Sequence, residues 1–204
     1  MTSPFRRAGS MTIAVMALAA LASAQESTGE TWSHGTTLNA FAGVASEPTA
    51  GTATAGGAIG WQLTPTMSFE GTGAWINSQS SSPWFSAALK VQTRLAHARG
   101  TNPFVEAGIG LYQASFDAGQ ADVPEFYRKR MTEEPGGSVM SHSFTDPTIV
   151  FGGGLNVLAT RHFALRPTVE VTVVVRNSDS YTTTAGILRL AYFFEDHPVT
   201  PSKR

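Results

Sequence analysis

An all-β fold, eight antiparallel strands closed into an up-and-down transmembrane barrel, is predicted by three features of the sequence. The first is period-two alternation. From Phe85 the odd positions run Phe85, Ala87, Leu89, Val91, Thr93 and Leu95, mostly apolar, and Trp84, Ser86, Ala88, Lys90, Gln92 and Arg94 fall between them. After a polar turn over 96–103, Val105, Ala107, Ile109 and Leu111 alternate with Glu106, Gly108, Gly110 and Tyr112. Successive side chains of a strand point to opposite faces, so each run has one apolar face and one polar or small face. The second feature is length: each run is about ten residues, what a tilted strand needs to cross a bilayer. The third is an export signal at the start of the chain.

That signal covers residues 1–24. Arg6 and Arg7 make a basic n-region, an apolar stretch runs from Met11 to Ala22, and Ala22-Ser23-Ala24 forms a small-x-small cleavage site that puts the mature start at Gln25. The apolar stretch is too short to span a membrane, which reads as a secretory signal peptide. Its removal leaves 12 basic against 15 acidic residues, a net charge of −3. A mildly acidic chain argues against nucleic acid as a partner, which calls for a basic patch. There are no cysteines, so disulfides and thiolate metal sites are excluded, while a barrel closes by hydrogen bonds instead. The mature part, about 180 residues, is expected to form one domain.

The elements follow in order. Residues 25–34 are a polar periplasmic lead-in, 35–194 the barrel domain, and 195–204 a polar tail. The first strand is expected over 36–44, with Leu38, Ala40, Ala42 and Val44 on one face and Thr37, Asn39 and Phe41 on the other. The second covers 52–63 with Gly57, Ile59, Trp61 and Leu63 outward. A Thr-Pro-Thr turn leads to the third, 67–76, where Met67, Phe69 and Trp75 alternate with Ser68, Glu70, Thr72 and Ala74. A loop with four serines, 77–82, precedes the two strands already described. The segment 117–145, from Asp117 to Thr145, breaks the rhythm and is long for a loop, which usually marks function. Within it Asp122 and Pro124 are placed to start a short helix through Arg128, Lys129, Arg130 and Met131, stopped at Pro135-Gly136-Gly137. Its basic cluster, beside Glu133 and Glu134, is read as a solvated face. The sixth strand is expected over 148–158, the seventh over 163–176 and the eighth over 181–194. Pro167 sits inside the seventh and removes a ladder bond, near the periplasmic end where a bulge is tolerable.

Short turns after even-numbered strands and a long segment after the fifth give the asymmetry of a barrel with periplasmic turns and external loops. Aromatic residues near strand ends (Trp61, Trp75, Trp84, Phe85, Phe104, Tyr112, Phe116, Phe163, Tyr181, Tyr192, Phe194) are assigned to interfacial girdles.

Gly152-Gly153-Gly154, Leu165-Arg166 with Glu170, and the closing Ala191-Tyr192-Phe193-Phe194 resemble the opacity-protein and outer-membrane protein A-like eight-stranded barrels. Arg166 and Glu170 stand four apart where that family commonly has Leu-Arg-x-Glu, which keeps both on one face. The resemblance implies residence in the outer membrane and contact with its lipid and lipopolysaccharide. It also implies a terminal aromatic pair, Tyr192 and Phe194, that the barrel-assembly machinery reads.

The candidate site is a belt of ion pairs on the inner face: Glu70, Lys90, Arg94, Glu106, Arg166, Glu170 and Arg189. Pairing the strands about their turns sets Glu70 opposite Lys90, Arg94 beside Glu106, and Arg189 diagonal to Glu170. Charges removed from water must be paired, and an eight-stranded lumen has room for side chains and little else. No cofactor or metal is implied, and Gly56-Gly57 and Gly152-Gly153-Gly154 lie in strand patterns rather than nucleotide loops. The five histidines (His34, His97, His142, His162, His197) fall in termini, turns or loops. The expected function is therefore non-enzymatic: envelope integrity or surface display, with an external ligand met through 117–145. The alternatives are a lipid A-modifying enzyme using His142 with Ser141, Ser143 and Asp146, and a narrow pore.

Overall fold

The computed structural model describes residues 35–46, 51–64, 66–77, 84–96, 101–117, 123–133, 141–160, 162–176 and 179–194. The signal peptide 1–24, the lead-in 25–34, the tail 195–204, His34, His97 and His197 lie outside these residues. Eight strands occur in the order β1 (Thr36–Ser46), β2 (Gly51–Gln62), β3 (Met67–Ile76), β4 (Trp84–Arg94), β5 (Thr101–Asp117), β6 (Ser141–Leu158), β7 (Phe163–Arg176) and β8 (Asp179–Phe193). Each pairs antiparallel with its sequence neighbour, and β1 pairs with β8 to close the barrel. Among the described residues one helix, α1 (Glu125–Glu133), lies between β5 and β6.

Closure follows from the alternation. Outward positions are large and apolar (Leu38, Ile59, Leu89, Ile109, Phe151, Leu190), and Ile109 is 69% exposed on the bare chain. A soluble protein would not leave such a continuous apolar surface open to water, whereas lipid is its natural solvent. No helix among the described residues is long and apolar enough to cross a membrane; here the strands have that length.

Several elements differ from the sequence reading. β5 begins at Thr101 and runs to Asp117, and β6 begins at Ser141. The turn before β5 is thus shorter than 96–103, and the two ends of the expected 117–145 loop, Asp117 and 141–145, belong to the strands of the wall. The connection shrinks to 118–140 and contains α1. At Pro167 the ladder is interrupted as expected: pairing of β6 with β7 skips the two positions at Pro167 and Arg166, then resumes in unchanged register at Val157↔Leu165, without a bulge. On its other side Pro167 keeps its place opposite Leu188. Five of the aromatics assigned to girdles, Trp84, Phe104, Tyr112, Phe116 and Tyr181, point inward and are buried. The outer rings are left to Trp61, Trp75, Phe85, Phe163, Tyr192 and Phe194, with Trp61 stacked on Phe69.

The interior has three layers. Ala164, Ala191 and Phe193 close the end with the short turns. Charged and amide side chains fill the middle. An aromatic cluster of Trp84, Tyr112, Phe116, Phe144 and Tyr181, joined by Tyr127 of α1, fills the end that carries the long connection.

Candidate functional site: the charged lumen and its capped mouth

The charged layer is built from β3, β4, β5, β7 and β8. Each charged residue occupies an inward strand position, and a glycine on a neighbouring strand leaves room for several of them. Glu70 stands between Gly60 and Lys90, Lys90 faces Gly108, and Gly152 lies between Glu106 and Glu170. The space is needed: a Cβ on Gly108 would come within 2.2 Å of the Leu89 carbonyl oxygen and 2.7 Å of Lys90 Cγ.

Three carboxylates meet three cations, so the group is neutral as a whole. Arg189 Nη1 donates to Glu70 Oε1 at 2.5 Å, and its Nη2 to Glu106 Oε1 at 2.9 Å and Glu170 Oε2 at 3.1 Å. Lys90 Nζ donates to Glu170 Oε2 at 2.7 Å and Glu106 Oε1 at 3.2 Å, and lies 3.9 Å from Glu70 Oε1. Arg166 Nη1 donates to Glu70 Oε2 at 3.2 Å and Asn39 Oδ1 at 3.1 Å, and its Nη2 donates to Gln92 Oε1. Asn39 Nδ2 returns a bond to Glu70 Oε2 at 3.0 Å. The Arg166 and Arg189 guanidinium groups also lie over the rings of Phe104 and Phe41, at 4.9 and 5.6 Å from the ring centres. Arg189 and Lys90 are buried to within 1% of their surface. A buried charge is tolerated when its partners satisfy it, and removal of one partner is costly.

Six of the seven belt residues named from the sequence therefore share one network. Arg94 is the exception. Register sets it opposite Phe104 and sets Glu106 opposite Gln92, and Arg94 donates instead to Gln62 Oε1 at 3.2 Å. Glu106 turns to Lys90 and Arg189. The amides Asn39 and Gln92 belong to the network but were not singled out from the sequence. Their inward phase beside charged neighbours is the signal that could have found them.

The network divides the remaining free space. A cavity of about 40 Å³ lies on the side of the aromatic layer, touched by Lys90, Glu170, Tyr112 and the hydroxyl residues Thr54, Thr72 and Thr148. A second, of about 20 Å³, lies on the other side among Gln62, Gln92, Arg94, Asn156, Arg166 and Phe193. Spaces this small hold a water molecule or a few.

The mouth is capped by α1. Tyr127 has no exposed surface, and its ring centre lies 4.8 Å from that of Phe116, 5.7 Å from Phe144, 5.6 Å from Tyr181 and 6.3 Å from Trp84. Arg128 and Lys129 are exposed as expected, but Arg130 turns inward. It pairs with the buried Asp146 of β6, and its guanidinium lies 4.3 Å from the centre of the Phe144 ring.

This arrangement separates the residues of the enzymatic alternative. His142 is in a strand, not a loop, and stacks on Phe144 at 6.3 Å. Asp146 is engaged by Arg130. Ser143 lies on the opposite strand face and shares a hydrogen bond with Ser115, Oγ to Oγ, at 3.1 Å. Among the described residues no cluster of three His, Cys, Asp or Glu side chains is placed to hold a metal. At the other end, Tyr192 contacts Phe163 and Phe194, each at 5.1 Å, and His162 Nδ1 lies 2.9 Å from Phe193 O.

No protein-family model matches the chain, and no curated protein matches it in sequence. Among solved structures it is similar to the N-terminal β-barrel domain of OprF from Pseudomonas aeruginosa, with a TM-score of 0.56 and 13% identity over 79% of this chain and 100% of that one. Neisserial surface protein A matches with a TM-score of 0.56 and 13% identity, covering 78% of this chain and 96% of its own. Ail, the attachment invasion locus protein of Yersinia pestis, matches at 0.50 and 12% identity, covering 79% and 97%. At such identities the likeness is one of fold, the eight-stranded outer-membrane β-barrel.

Proposed function

We propose that the chain is a non-enzymatic outer-membrane protein: a closed, non-conducting barrel that supports envelope integrity and presents its long-loop end outside the cell. The observation that carries this reading is the doubly filled lumen. A neutral ion network occupies its middle and an aromatic plug its mouth, and the cavities that flank the network, one on either side, measure about 40 and 20 Å³. The apolar outer wall favours lipid and lipopolysaccharide as its surroundings, and Tyr192 and Phe194 serve as the terminal aromatic pair for the assembly machinery. Export through residues 1–24 belongs to the same reading. Within 117–145 the docked helix α1 and the strand ends at Asp117 and 141–145 are the described parts, and the outer face of α1 and the rim contribute to the display surface. Planar-bilayer recording tests the proposal: purified protein is expected to give no steady conductance, and large, steady channels would overturn it.

A further inference from the structure

The mouth of the barrel carries more chemistry than sealing requires. A plug that only excluded water would be apolar, yet β6 places a carboxylate, Asp146, on the inner wall with 3% of its surface exposed. Beside it the wall supplies four aromatic residues from four strands: Trp84 of β4, Phe116 of β5, Phe144 of β6 and Tyr181 of β8. A carboxylate and an aromatic face together form a site for a cation, and the rings beside it take a planar apolar group. Both places are filled from one side of α1. Tyr127 enters the ring of aromatics and Arg130 reaches Asp146 and the face of Phe144.

The occupant differs in kind from its receptor. Each of the four cage aromatics stands on a barrel strand and is paired with a neighbouring strand (Trp84 with Ile76, Phe116 with His142, Phe144 with Ala114, Tyr181 with Val174), whereas α1 is nine residues long and belongs to no ladder. Isolated helices of that length are marginal in water, so its docking holds it in place. An element attached by few contacts opens at a lower cost than the wall around it.

We propose that the outer mouth is a binding site for an external ligand that joins an aromatic ring to a guanidinium or ammonium group, and that α1 occupies it as an internal competitor. Tyr127 and Arg130 are then stand-ins for the ligand, and ligand binding expels the helix. The site needs only the mouth to be accessible and is independent of whether the barrel conducts.

The test uses the full chain refolded in detergent, with Nα-benzoyl-L-arginine amide as probe and the neutral Nα-benzoyl-L-citrulline amide as its control. Chymotrypsin reads the state of the helix, because Tyr127, with no exposed surface while docked, becomes cleavable when it leaves the cage. Millimolar arginine probe is expected to speed cleavage there about tenfold, a shift in population towards the open state, while the citrulline analogue leaves it unchanged. Asp146→Asn is expected to abolish the response to the probe. Calorimetry on Arg130→Ala gives a second reading: with Asp146 released, the arginine probe binds at least about tenfold more tightly than to the wild-type chain. Cleavage that does not respond to the arginine probe, or that responds equally to both probes, would overturn the proposal and leave α1 a structural cap.

Discussion

Glu70 on β3 and Arg189 on β8 meet at 2.5 Å across the lumen, although 119 residues and two intervening strands separate them. The contact joins strands that share no ladder. With Lys90, Glu106, Arg166 and Glu170 it ties opposite walls of the barrel together, a role that hydrogen bonds between neighbouring strands cannot fill.

Glu70→Gln and Arg189→Met are each expected to cost about 3–5 kcal/mol, because each leaves buried charge without its partner. The double variant should cost clearly less than the sum, with a coupling of about 1–3 kcal/mol. Urea titration of detergent-refolded protein measures all three, and additive losses would show that the pair contributes nothing of its own.

Lys90 and Glu106 are expected to couple in the same way, at 3.2 Å. Arg94 and Glu106 are not, since Arg94 faces Phe104 and bonds to Gln62. A cycle on Arg94→Met and Glu106→Gln should be additive within about 0.5 kcal/mol; a large coupling there would mean that the register between β4 and β5 is different.

Two glycines on the barrel are expected to behave oppositely. Gly108→Ala drives a Cβ against the Leu89 carbonyl and Lys90, and overpacking of this kind costs about 1–3 kcal/mol. Gly73→Ala adds a methyl that meets nothing within 4 Å, and loss of backbone freedom in the unfolded chain should stabilise it by about 0.4–1 kcal/mol. Equal effects in the same titration would contradict the packing described.

Ile109→Arg places a charge at the middle of the outer wall. It should cost about 2–4 kcal/mol in a lipid bilayer and far less if that face met water, so refolding yields into vesicles distinguish the two surroundings.

The outer face was the most legible part of the sequence. Alternation placed Leu89, Ile109, Val171 and their neighbours correctly, and the bounds of β3 and β7 match because apolar residues fill their outward positions to the ends. The upper parts of β5 and β6 were hidden for a physical reason. Beyond the apolar band the outward positions turn polar (Gln113, Ser115, Ser143, Thr145) while the inward ones become aromatic or small (Ala114, Phe116, Phe144). The alternation inverts there and resembles a loop. The same inversion put Trp84, Tyr112, Phe116 and Tyr181 among the girdles, although their strand phase already pointed inward. Arg94 was paired with Glu106 on adjacency along the ladder. In a narrow barrel long side chains lean to the axis instead, where Arg189 and Lys90 compete for the same carboxylate. The docking of Tyr127 and Arg130 has no sequence period to announce it, because it depends on how a short helix folds back over the mouth.

The most direct test of a membrane-spanning barrel is fractionation of cells that express the chain, read by gel migration before and after boiling. The protein should sediment with the outer membrane and shift in apparent size only after heating, as the closed barrel unfolds. Recovery as a soluble periplasmic monomer, with the same mobility heated or not, would contradict it.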